Sequence, residues 1–232
     1  MKRIFISIAI MIASFASLIA QDVVKGSVIA SSREDLLTKL PSEVAYFMPE
    51  FTHAYIFYTN GTKFEANLNI CLVDNSVRYI NDKGDTLLMA NAANVNKILA
   101  GDAIYQQLNG TFVHQLAAYG QTSLSEKKIF NFKEPEINIG FANLAPTSTA
   151  RAYNAEDHDV AKGYGKDMEI DYRLETVYVL THKNKTYSCK QSSFIKFFPE
   201  KKQQIKEFVK KNDIDFSNKD HVISLFLMCT EK

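Results

Sequence analysis

From His53 to Phe132 the apolar pattern has a period of two, interrupted by turn signals. Tyr55, Phe57 and Thr59 alternate with Ile56 and Tyr58, and Phe64, Ala66, Leu68 and Ile70 share one phase of the next run. A period of two sends successive side chains to opposite faces, so the stretch reads as strands with one buried face. The runs are cut at Asn60-Gly61, Asp82-Lys83-Gly84-Asp85, Asn109-Gly110 and Tyr119-Gly120. Asn-Gly suits a two-residue hairpin loop because both residues tolerate positive φ. Further strands are expected at Val77–Asn81, Thr86–Met89, Val95–Leu99, Ala103–Gln106, Thr111–Ala118 and Thr122–Phe132. About seven or eight short strands at this spacing predict a β-meander, as a curved antiparallel sheet or a partly open barrel. Asn-Gly-Thr occurs at 60–62 and again at 109–111, which is turn chemistry used twice rather than an internal duplication.

The flanks have other periods. Ser32 can cap a short helix with Asp35 as its capping-box partner; Leu36, Leu37 and Leu40 line one side and Pro41 stops it. Leu174–His182 alternates again, Lys183-Asn184-Lys185 turns, and Thr186–Lys190 returns as a hairpin that joins the sheet. Between the two strand regions, residues 133–170 hold Pro135, Pro146, Gly163 and Gly165 and read as an irregular loop. Three helices close the chain. Phe194, Phe197 and Phe198 mark the first, and Ile205, Phe208 and Val209 the second. Ser217 with Asp220 opens the third as a capping box, and Val222, Leu225, Phe226 and Cys229 form its apolar stripe. The expected fold is α+β, an antiparallel β-meander with C-terminal helices. Residues 21–132 (N-terminal helix plus meander) and 171–232 form one compact domain.

Residues 1–20 belong to none of this. Lys2 and Arg3 precede the apolar run Ile4–Ala20, which is the order of a cleavable secretory signal. The run is shorter than a membrane span requires and is broken by Ser7, Ser14 and Ser17. Cleavage is expected after Ala20, although Ser14-Phe15-Ala16 fits the small-x-small rule better. Leu18-Ile19-Ala20 also resembles the start of a lipoprotein signal, but Gln21 follows where the lipidated Cys would stand. The product is therefore expected in the periplasm or outside the cell, with no lipid anchor and no transmembrane span once the signal is gone.

Removal of residues 1–20 takes two of the 27 Lys and Arg, leaving 25 against 26 Asp and Glu, a net charge of −1. Such balance gives no electrostatic case for nucleic acid or an anionic membrane as partner. Cys71, Cys189 and Cys229 are widely spaced, with no CxxC, which argues against a zinc or redox site. A Cys189–Cys229 disulfide is one reading in an oxidising compartment, and buried free thiols are the other.

Two stretches carry a resemblance. One runs from Leu40-Pro41 through Tyr46-Phe47-Met48-Pro49-Glu50-Phe51, Ala66-Asn67-Leu68-Asn69 and Val77-Arg78-Tyr79-Ile80 to Gly84-Asp85-Thr86-Leu87. The other holds Phe197-Phe198-Pro199-Glu200, Ile205-Lys206-Glu207-Phe208 and Phe216. Together they resemble an uncharacterised exported protein family common in Bacteroidetes-type bacteria. The resemblance implies export, and no enzymatic activity is carried over from it.

Candidate chemistry is sparse. Glu156-Asp157-His158-Asp159 has metal-binding residue types, but adjacent loop residues do not converge on one ion without a special backbone. His53, His114, His182 and His221 are scattered and lack an evident partner. Gly163-Tyr164-Gly165-Lys166 is too short for a phosphate loop. Cys71 sits among Leu68, Ile70 and Leu72, a core setting rather than a reactive one. The basic helix 201–211 reads as a solvated face, diluted by Glu200 and Glu207. No residue is assigned a catalytic, cofactor-binding or metal-binding role, and no cofactor is expected. The functional expectation is an exported, non-enzymatic binding or envelope-assembly module, with an envelope protein as partner. Its exposed strand face and residues 133–170 would be the contact surfaces. The alternative is a metal-dependent hydrolase built on the loop around His158. Oligomeric state is left open.

Overall fold

The computed structural model describes residues 23–133, 167–183 and 185–231. In chain order these form β1 (Val23–Ala30), α1 (Arg33–Lys39), α2 (Ser42–Ala45), β2 (Thr52–Tyr58), β3 (Lys63–Ile70), β4 (Val77–Ile80), β5 (Thr86–Leu88), β6 (Val95–Ala100), β7 (Ala103–Leu108), β8 (Thr111–Tyr119) and β9 (Thr122–Phe132). After residue 166 come β10 (Met168–His182), β11 (Lys185–Ser188), α3 (Gln191–Phe197), α4 (Lys202–Lys211) and α5 (Lys219–Thr230). All eleven strands join one open antiparallel sheet, ordered β1-β10-β9-β8-β7-β6-β2-β3-β4-β5, with β11 also on β10. This is the α+β meander with C-terminal helices that the alternation predicts, in its open-sheet form.

The meander is two meanders joined by one return. β2 to β5 fold by successive hairpins, but the chain then crosses back and lays β6 against the other side of β2. The return buries Met89 and Ala92. The pattern of β6 predicts a strand but says nothing of this neighbour.

Turn chemistry divides the two Asn-Gly pairs. At Asn109-Gly110 both residues have positive φ (51° and 74°) and form the whole loop between β7 and β8. At Asn60-Gly61 only Gly61 has positive φ, and the loop is longer than the two-residue hairpin expected from the sequence. Asn60 Oδ1 instead accepts from Thr62 N at 3.0 Å and Thr62 Oγ1 at 2.7 Å, an Asx-type closure.

Three boundaries differ from expectation. Val23–Ala30, unassigned in the sequence, is a strand because Met168–Glu175 offers it a full antiparallel partner. The irregular stretch was expected to run to residue 170, but Met168–Ile170 begin β10, and Ile170 is fully buried. The remainder, 134–166, lies outside the described residues, as do 1–22. Finally, α5 is capped by Asn218 and not by Ser217. Asn218 Oδ1 accepts from Asp220 N and His221 N, while Ser217 donates to Asp215. At α1 the cap is Ser32 as predicted, but Asp35 reaches back to Ser31 N at 2.7 Å.

One face of the sheet is covered. α1 and α2 lie over Val28, Ala30, Ile170 and Leu174. The segment Phe47-Met48 packs on Ile56, Leu68, Ile70 and Ile98. The helices α3 to α5 bury Phe194, Phe198, Ile205, Leu225 and Phe226 against Leu124 and Leu180. Each fully buried Leu, Ile or Phe contributes about 1.5–3 kcal/mol, so these three clusters are the main stabilising term. Polar pins hold them in register. Asn69, fully buried, accepts from Met48 N at 3.0 Å and donates to Met48 O and Glu50 O. Asn75 in the β3–β4 loop donates to Gly110 O and accepts from Phe112 N, tying that loop to a hairpin four strands away. Lys201 Nζ donates to Met228 O and Glu231 O and so satisfies the C-terminus of α5. Among the described residues no helix is long and apolar enough to cross a membrane.

Candidate binding face

Strand alternation that sends one set of side chains into the core sends the other set to a face that none of the described helices covers. Antiparallel register turns that set into rows. One row crosses eight strands: Glu65, Tyr55, Leu99, Ile104, Gln115, Ser125, Val179 and Ser188. The next row reads Lys63, Phe57, Lys97, Gln106 and Val113, and Lys127 pairs with Val177 beside it. The face is aromatic and basic over β2, β3 and β6. Lys63 Nζ sits 3.8 Å from the Tyr55 ring centre and Lys97 Nζ 5.0 Å from that of Phe57. Such placements are favourable cation–π contacts.

Toward β8, β9 and β10 the same face carries Gln115, Ser123, Ser125 and Thr181, interspersed with Val113, Val177, Val179 and Lys127. A cleft of about 520 Å³ opens there, floored by Gln106, Gln115, Ser123 and Thr181 and rimmed by Gly120 and Lys183. Gln106 Nε2 donates to Gln115 Oε1 at 3.1 Å, which fixes both amides over the floor. The Ser125 and Thr181 hydroxyl oxygens are buried and have no hydrogen-bond partner among the described residues. Buried polar groups are normally paired, and one left unpaired costs about 1–3 kcal/mol. Two in adjacent rows of one face mark that face as more than a solvated surface. Half-buried Lys127 lies on the same face outside the cleft lining, and burial lowers its pKa.

Two charged clusters lie elsewhere. On the covered side, Tyr105, His114 and Glu126 are consecutive across β7, β8 and β9. His114 stacks on Tyr105 at 5.1 Å, and Lys219 of α5 reaches Glu126 at 3.2 Å. Burial pushes the Tyr105 phenol up to about 12 and lowers the His114 pKa. The second cluster holds Arg78 between Asp74, at 2.9 Å, and Glu34 of α1, at 3.6 Å. Burial raises the Asp74 pKa, but hydrogen bonds from Ser76 and Cys71 and the Arg78 charge outweigh it and hold the carboxyl below its usual range. This cluster anchors α1 to the β3–β4 loop.

The structure disperses the sequence candidates. His53 lies on the open face against Tyr55, and His182 contacts Thr122 Oγ1 at 2.8 Å and stacks on Phe197. His221 Nδ1 accepts from Asp215 N. Cys71, Cys189 and Cys229 are free, and burial drives all three thiols up to about 12. The core reading of Cys71 therefore holds, and the Cys189–Cys229 bridge is not formed. Glu156-Asp157-His158-Asp159 and Gly163-Tyr164-Gly165-Lys166 lie outside the described residues. In α4 the apolar stripe buries Ile205, and the lysines face solvent. Among the described residues no group of three or more His, Cys, Asp or Glu could hold a metal ion.

The residues that form the cleft carried no motif. Gln106 and Thr181 were visible only as polar phases of their strands, and nothing local places them on one floor. Comparison with protein-family models, with curated proteins and with solved structures finds no match for this chain.

Proposed function

We propose that this chain is an exported, non-enzymatic binding module that takes a polar, hydroxyl- or amide-bearing ligand group on the open face of its sheet. One observation carries the reading: all three cores lie on one face, while the other holds a cleft lined by Gln106, Gln115, Ser123 and Thr181, the buried Thr181 hydroxyl having no partner among the described residues. A cleft of about 520 Å³ falls in the size range of small-ligand sites. Its amides and hydroxyls both donate and accept, so they suit a ligand group that does the same. Rotation of the Thr181 side chain exchanges its methyl and hydroxyl and would present the hydroxyl to that group. The aromatic and lysine stripe over β2 extends the contact surface beyond the cleft.

The test is a pull-down from the native envelope fraction, with wild-type protein run beside a Gln106→Leu/Gln115→Leu variant. A component recovered stoichiometrically by the wild type and lost with the variant supports the reading. Equal recovery by both, or recovery of the bait alone from both, removes it.

A further inference from the structure

Among the described residues, β1 is the longest free edge of the sheet. Its inner side pairs with β10 over all eight residues without a bulge, and among the described residues no strand pairs with its outer side. The other edges, β5 and β11, span three and four residues. An edge strand presents unpaired N–H and C=O groups, and proteins usually blunt long ones with lysine, proline, a bulge or a covering element. β1 has no proline, carries a single charge at Lys25, and leaves Val24 46% and Ile29 59% exposed, one on each face.

The strand is also complementary to itself. A twofold axis normal to the sheet joins two antiparallel copies with like faces together, so residues of the same parity meet. Centred on Gly26, the pairing sets Val24 against the partner's Val28 and Val23 against the partner's Ile29. It also sets Lys25 against the partner's Ser27. Within one chain, Lys25 stands beside Arg173, a like charge. Ser27 stands beside Asp171 and donates to Glu169 at 2.8 Å. The pairing therefore leaves Lys25 beside Arg173 of its own chain and adds the partner's Ser27 on its other side, with that copy's Asp171 and Glu169 one strand beyond, twice by symmetry. On the opposite face the axis passes Gly26, over which the Tyr172 ring leans. The Tyr172 ring, rather than a side chain of Gly26, therefore fills this face beside the axis.

We propose that two copies of this chain associate through β1, antiparallel about Gly26, to form one continuous sheet. The open faces of both copies then lie on the same side, and two polar clefts share one surface.

The test is sedimentation equilibrium of the purified protein at micromolar concentration. The expected species is a dimer of the 26.3 kDa chain or of its processed form. Ile29→Lys gives a monomer. Lys25→Glu weakens association about tenfold, and adding Asp171→Lys restores it, because the two charges then exchange places across the interface. Circular dichroism and thermal melts establish that each variant is folded, so that loss of the dimer is not loss of the domain. A wild-type monomer at about 100 μM overturns the proposal. So does a dimer whose dissociation constant is unmoved by both Ile29→Lys and Lys25→Glu.

Discussion

The ring of Tyr172 occupies the space that a side chain on Gly26 would need: its hydroxyl lies 2.5 Å and its Cζ 2.7 Å from the position of a Cβ there. The two residues are register partners on β10 and β1. Tyr172 also stacks on Phe130 at 6.0 Å, so the ring cannot retreat freely. Gly26→Ala should therefore destabilise the protein by about 1–3 kcal/mol through overpacking. Chemical denaturation measures this. Tyr172→Leu in the Gly26→Ala background should recover part of the loss, and a double-mutant cycle without coupling would remove the explanation.

Asn69 gives a second prediction. Its amide satisfies the Met48 backbone in both directions. Asn69→Leu leaves a buried N–H and C=O unpaired and should cost about 2–4 kcal/mol. Asn69→Asp should cost at least as much at neutral pH, because a carboxylate would face the Met48 and Glu50 carbonyls. Unfolding curves in which Asn69→Asp matches wild type would refute the role.

Asp74 predicts a pH dependence. Its pKa is lowered in the folded state from the ordinary 3.8. Its contribution is thus fully present above that value and is lost as pH falls through the lower folded value. Asp74→Asn should destabilise the protein at pH 7, and the gap from wild type should narrow as pH falls below about 3.8. Stability followed from pH 7 to pH 2 in both proteins provides the check, and parallel curves would refute the assignment.

The cysteines predict silence. With thiols pushed up to about 12, the reactive thiolate is scarce near neutrality. Native protein should react with a thiol reagent far more slowly than protein in denaturant, where all three cysteines titrate. Rapid labelling of native Cys71 or Cys229 would contradict their buried setting, whereas Cys189 is half-buried.

Lys201 should act as a helix cap. Lys201→Met keeps the stem and removes the donors to Met228 O and Glu231 O. It should cost about 1 kcal/mol and raise amide exchange in the last turn of α5 before it affects the sheet.

The sequence by itself determined the local structure. Alternation from His53 to Phe132 set which residues are strands, because a pleat sends neighbours to opposite faces, but with both phases of β2 apolar it did not say which one is buried. The Leu and Phe stripes set the helices and their inward sides, and Asn109-Gly110 set a tight hairpin through two positive φ angles. Local pattern was least informative at helix caps, where Ser217 and Asn218 compete for one N-terminus and only the backbone path selects Asn218. Tertiary structure alone decided which strands are neighbours. It placed β6 beside β2, made Val23–Ala30 a strand by offering it the first half of β10, and put Gln106, Gln115 and Thr181 around one cleft. The physical reason is that a strand's hydrogen bonds are made with a partner distant in sequence, so its register, and every site that register assembles, is a property of the pair and not of either segment.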